Sequence, residues 1–274
     1  MTRLPVAATL CVLALCASAP AAERRAETPQ TAVELVAASE RPTPGRPFWL
    51  GLRFQLKPGW HIYWVNPGDS GGPPTVQWTL PPGVKAGEFE WPAPERFVLG
   101  PIVNYGYSGD VVLPLPVTIA SDAARAPISV KAAVRWIACE EICVPGRATL
   151  EWTLPVPERD RSHVAAWKAL VGRARDRVPQ PAPSAWRAGA VARGDEFVLT
   201  VGLDRPAPSG ATFFPLEVNQ INESAAQKVS ASERTLRITL KKSDLLQGLP
   251  KQLKGVVRLA SGEAVVITAP MSVQ

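Results

Sequence analysis

Cys139 and Cys143 stand four residues apart in Trp136-Ile-Ala-Cys-Glu-Glu-Ile-Cys-Val-Pro145. The other two cysteines, Cys11 and Cys16, fall in an apolar N-terminal run. A close pair of thiols can exchange with other thiols, staple a turn, or hold a soft metal. As a staple it gains little: closing a loop of about five residues stabilises by only about 2 kcal/mol, the low end of the usual range. A chain of this length can build a core without a staple. Redox exchange is therefore the favoured chemistry, with a structural bridge and a Cu(I) clamp as the alternatives. A closed zinc site needs four ligands, and His61 and His163 do not stand at ligand spacing from the cysteines. Glu140 and Glu141 lie between the thiols, where two carboxylates disfavour the thiolate. Such a pair would stay quiet until a docked partner changed its surroundings; the competing reading is that both glutamates are solvated turn residues. Hydrolytic chemistry finds no support, since neither a Gly-x-Ser-x-Gly elbow nor a His-x-x-x-His helix is present.

The elements that must position this pair are strands. Val130–Ile137 runs into Cys139, and Ala148–Trp152 leaves after Pro145 and Gly146, so the pair is expected near a hairpin end. Thr31–Val36, Phe48–Leu56 and Trp60–Val65 alternate with period two. In the last of these, Trp60, Ile62 and Trp64 share one face, with His61 and Tyr63 on the other. Thr75–Leu80, Gly87–Trp91 and Val111–Ile119 add further short strands, separated by Pro and Gly. Twenty-nine prolines and twenty glycines argue against long helices. The exception is residues 158–178, where Val164, Trp167, Leu170, Val171 and Ala174 repeat at helical spacing and Ser162 is the expected cap. Pro179–Pro183 reads as a stiff linker. Strands then return at Glu196–Leu203, Ala211–Leu216, Thr235–Leu240, Gly255–Leu259 and Glu263–Thr268, with a short helical turn expected at Asp244–Leu249. Nine Trp against three Tyr and seven Phe fit heavy ring packing in a sandwich core.

Arg3, the apolar run Leu4–Cys16 and the small residues to Ala22 read as a cleaved export signal, placing the mature chain in an oxidising compartment. The net charge of +6 suits encounter with acidic partners or lipid headgroups. No nucleic-acid recognition motif accompanies it, and export argues against that class.

Four stretches together resemble the N-terminal periplasmic region of the DsbD/ScsB family of thiol:disulfide interchange reductases. They are Lys57-Pro-Gly-Trp-His-Ile-Tyr-Trp-Val-Asn-Pro-Gly-Asp-Ser-Gly71, Trp91-Pro-Ala-Pro-Glu-Arg96, Asn104-Tyr-Gly-Tyr107 and the cysteine segment. The resemblance covers about residues 30–157 strongly and the rest, including Phe213-Phe-Pro215, more loosely. It implies an immunoglobulin-like domain whose Cys139–Cys143 pair shuttles electrons without a cofactor. It also implies a cap loop over the pair, for which Asn104, Tyr105 and Tyr107 are the expected residues; the competing reading packs both tyrosines into the sandwich edge. Glu140, Glu141, His61 and Tyr63 are the expected modulators. Family reductases continue into a membrane domain and a thioredoxin-like domain, which this sequence does not show. The resemblance therefore implies a membrane-embedded thiol donor and periplasmic thioredoxin-fold acceptors as separate partners.

The expected organisation is all-β: a signal peptide over 1–22, an immunoglobulin-like redox sandwich over 28–157, a helix and linker over 158–184, and a second, smaller β-sandwich over 185–274. The competing reading is a non-enzymatic binding or copper-tolerance module with a structural bridge.

Overall fold

A computed structural model describes residues 23–121 and 127–273. The expected signal segment lies outside the described residues. The first half contains eleven strands in chain order. They are β1 Arg25–Glu27, β2 Thr31–Ala37, β3 Phe48–Leu56, β4 His61–Gly68, β5 Thr75–Thr79, β6 Val84–Ala86, β7 Glu95–Leu99, β8 Ile102–Ser108, β9 Asp110–Ile119, β10 Ile128–Cys139 and β11 Cys143–Leu154. A 3-10 turn over Glu158–His163 leads into helix α1, Val164–Asp176. The second half follows with β12 Gln180–Pro181, β13 Arg187–Arg193, β14 Glu196–Gly202, β15 Ala211–Pro215, β16 Lys228–Ser232, β17 Thr235–Lys241, β18 Gln252–Leu259 and β19 Ala264–Val273.

The first half forms two sheets, β1-β2-β3-β9-β6 and β11-β10-β4-β8-β7, with β5 joined to β10. Leu35, Leu52 and Leu113 of one sheet share a buried cluster with Ile62, Val134 and Trp136 of the other. Period-two alternation sends every second side chain into that shared core. Helix α1 buries Trp167, Val171 and Ala174 in the same cluster. Its Trp167 ring meets Trp152 edge-on at 5.0 Å. The expected cap does not form. His163 takes the N-cap position with no side-chain cap bond, because Ser162 is drawn into the preceding 3-10 turn.

The second half is one eight-stranded sheet rather than two, in the order β15-β18-β19-β13-β14-β17-β16 with β12 on β19. Parallel pairing of β13 with β19 makes it continuous. Phe197, Phe213, Ile238 and Ile267 from both of its ends meet in a second core. In place of the helical turn expected at 244–249, only Asp244 and Leu245 form a turn, closed by the Leu246 amide donating to the Ser243 carbonyl at 3.2 Å.

The two halves are tied together. Phe214 and Val256 of the second half belong to the first core. Phe214 meets Tyr105 edge-on at 5.1 Å and Trp64 at 6.4 Å. The Asn66 amide donates to the Pro215 carbonyl at 2.8 Å. No helix among the described residues is long and apolar enough to cross a membrane.

The candidate redox site

β10 and β11 pair antiparallel from Ile128–Leu154 down to Cys139 opposite Cys143, so the cysteines close the last rung of a hairpin. Their Cα atoms stand 4.1 Å apart and the sulfurs are bonded. Glu140, Glu141 and Ile142 form the three-residue turn, and all are exposed, Ile142 by 68%. Both glutamates are exposed at the tip, with the Glu140 carboxylate lying over Gly59 of the turn before β4.

The two sulfurs are not equivalent. Cys139 is fully buried, whereas Cys143 is exposed. β11 is the edge strand of its sheet, while Cys139 lies against β4 through a bridge to His61. Tyr63 follows two residues later on β4 and so presents its ring on the same face. Its hydroxyl donates to Cys139 Sγ at 2.8 Å and stands 3.5 Å from Cys143 Sγ. Burial raises the Tyr63 pKa, so the phenol stays a proton donor at neutral pH. The ring is held in place by close packing at Gly71, which has φ +82°. A Cβ there would lie 2.1 Å from Tyr63 Cζ, so glycine is needed both for the turn and for the space.

His61 is buried beside Cys139, and its Nε2 has no hydrogen-bond partner among the described residues. Burial lowers its pKa, which keeps the imidazole neutral. Phe97 of β7 stacks on it with centroids 4.4 Å apart and planes 10° from parallel. A run of rings thus leads from Phe97 through His61 to Tyr63 and the sulfurs.

The expected cap residues are elsewhere. Residues 102–108 are strand β8 rather than a hinged loop. Ile62 pairs with Tyr107 and Tyr63 with Gly106, so alternation puts the two β8 tyrosines on the core face, away from Tyr63. Tyr107 is buried and donates to the Pro92 carbonyl at 2.7 Å. Tyr105 is fully buried and donates to the Glu223 carboxylate in the second half. Asn104 is also buried; its Oδ1 accepts from Ser70 Oγ at 3.1 Å, which steadies the loop that carries Gly71. Tyr63, first seen as a modulator, is the tyrosine on the sulfurs. Phe97, Gly71 and Ser70 were not singled out from the sequence, although Gly71 closes a quoted motif. Among the described residues no group of three or more His, Cys, Asp or Glu side chains is placed to hold a metal.

Residues 29–155 match the family described as thiol:disulfide interchange protein DsbD, N-terminal. This segment belongs to the DsbD N-terminal domain family. A crystal structure of the N-terminal periplasmic domain of ScsB from Proteus mirabilis matches 90% of this chain and 98% of its own, with a TM-score of 0.68 at 20% identity. At that identity the likeness shows the fold, and it extends over both halves. No curated protein matches. That family is described as the N-terminal part of a thiol:disulfide interchange protein.

Proposed function

We propose that this chain is a periplasmic thiol–disulfide exchange protein, with residues 28–157 as an immunoglobulin-like redox sandwich and 185–274 as a supporting β-domain. The observation that carries this is the asymmetry of the pair: an exposed Cys143 sulfur, and a buried Cys139 sulfur with a phenol O–H 2.8 Å away.

A donor thiolate reaches the exposed Cys143 Sγ, forms a bond to it, and displaces Cys139 as thiolate. The Tyr63 O–H already points at that sulfur, so the negative charge develops against a preorganised donor. The donor's second thiolate attacks the donor's own first sulfur and releases Cys143. Two electrons have then entered the pair, two protons restore the thiols, and the donor leaves as a disulfide. In the forward half-cycle Cys143 thiolate attacks an acceptor disulfide, and Cys139 resolves the mixed disulfide by attacking Cys143 Sγ. The donor is a membrane-embedded dithiol protein and the acceptors are thioredoxin-fold disulfides. Phe97, stacked on His61, is the ring placed to screen the pair between encounters.

Tyr63→Phe tests the reading because it keeps the ring against Gly71 and removes only the hydroxyl. A hydrogen bond to a charged group contributes about 1.5–3 kcal/mol, so reduction of the native bridge by glutathione should slow about tenfold or more. The pH at which the liberated Cys139 thiol ionises should rise in parallel. An unchanged rate and an unchanged thiol titration would remove Tyr63 from the mechanism.

A further inference from the structure

The outer face of the β10–β11 hairpin carries more than the disulfide. Odd-numbered residues of both strands point outward, so that face presents six cross-strand rows in register: Ser129 with Thr153, Lys131 with Glu151, Ala133 with Thr149, Arg135 with Arg147, Ile137 with Pro145, and Cys139 with Cys143. The Lys131–Glu151 row is an opposite-charge ion pair. The Arg135–Arg147 row is not compensated. Both side chains are exposed, and among the described residues neither guanidinium has an ion-pair or hydrogen-bond partner. Like charges directly opposite on neighbouring strands stand about 4.5–5.5 Å apart at Cβ and oppose sheet formation. The two guanidiniums therefore form a ready fork for carboxylates.

The same row borders an open recess of about 660 Å³, walled by Gly72 and Pro73 and floored by Trp136, Pro145 and Gly146. On the core side of that rung a Cβ on Gly146 would lie 2.2 Å from Trp136 Cε2, so the glycine lets the indole pack beneath the strand that carries Pro145 and Arg147. Past the disulfide the charge reverses, because Glu140 and Glu141 are exposed on the turn. The face thus reads, from tip to base, as acidic, disulfide, apolar and cationic. The Arg row lies four residues from the disulfide row, about 13 Å at the usual rise per strand residue.

We propose that this face docks an acidic segment of the redox partner, with Arg135 and Arg147 holding carboxylates about four residues from the partner's reacting cysteine. Ile137 and Pro145 seat the intervening residues, and the partner sulfur comes to rest at Cys143. This deepens the exchange function and rests on it. Charge complementarity fixes the orientation, since carboxylates next to the partner cysteine would meet Glu140 and Glu141 instead.

The test uses two synthetic peptide disulfides of identical composition. One carries two Asp residues four positions from its cysteine, the other carries them adjacent to it. The reduced protein is oxidised by each at low ionic strength, with 2-hydroxyethyl disulfide as an uncharged control. The distal-Asp peptide should react about tenfold faster than the adjacent-Asp peptide. That ratio should fall towards one in high salt and in Arg135→Gln/Arg147→Gln, and should survive in Arg135→Lys/Arg147→Lys. The control rate should be the same in all variants, which also verifies their fold. Equal rates for the two peptides, or a ratio that the Gln variant leaves unchanged, would overturn the docking proposal while leaving exchange intact. Failure of the uncharged control to oxidise the native protein would overturn the exchange function itself, and the docking proposal with it.

Discussion

Cys139→Ser should trap mixed disulfides readily, and Cys143→Ser should trap them at least about tenfold more slowly. The first variant leaves the exposed sulfur alone on the edge strand, with no resolving thiol. The second leaves a thiol that is fully buried between His61 and Tyr63. Thiol–disulfide exchange requires in-line approach to the attacked sulfur, so access dominates the rate. The comparison is read by incubating each variant with the disulfide of a small thiol and following adduct mass with time. Equal trapping by both variants would show that the hairpin end opens before reacting, and that the exposure difference does not set the order of attack.

A second large effect sits at the seam between the halves. Glu223 is buried, accepts from the Tyr105 hydroxyl, and belongs to a segment whose backbone takes a bond from Arg96 at 3.1 Å. Burial pushes its carboxyl up to about 7 and nearby Asp69 adds to this, while the Tyr105 bond and Arg96 act the other way. In the unfolded chain the same group titrates near 4.5. Below pH 4.5 both states are protonated and Glu223 costs nothing. As pH rises from 4.5 to 7 the unfolded state alone loses its proton, and stability falls by up to about 3 kcal/mol. Above 7 the loss is complete and constant. Glu223→Gln keeps an acceptor for Tyr105 and carries no charge, so it should be more stable than the native chain at pH 8 and equal to it near pH 4. Urea unfolding at the two pH values reads the difference. A native-like midpoint for Glu223→Gln at both would mean that the carboxyl is solvated when ionised.

Much of this arrangement was legible in the sequence. Period-two runs located β2, β3, β4, β9, β10 and β11, and the cysteine spacing located the hairpin end, because both signals are local. What failed was tertiary. Gly100, Gly106 and Gly109 made residues 100–109 look like a hinge, yet Gly106 sits inside β8 because a Cβ there would lie 1.9 Å from the Ile62 carbonyl oxygen. Only the neighbouring strand shows that a glycine is required for close approach rather than for bending. β7 was missed because Pro92 and Pro94 precede it and its side chains are largely exposed, which removes the alternation that marks a strand. Alternation did place His61 and Tyr63 on one face, but nothing local reveals that the facing element on that side is the cysteine hairpin. The partner of Tyr105 lies 118 residues away, beyond any pattern in the sequence.

The most direct measurement is a redox titration of the native Cys139–Cys143 pair against glutathione, following thiol content by alkylation. An exchanging pair should titrate at a potential above about −300 mV, with two thiols appearing together and the fold retained. A bridge that stays oxidised below about −300 mV, and opens only when the protein unfolds, would contradict the exchange function and leave the pair as a structural staple.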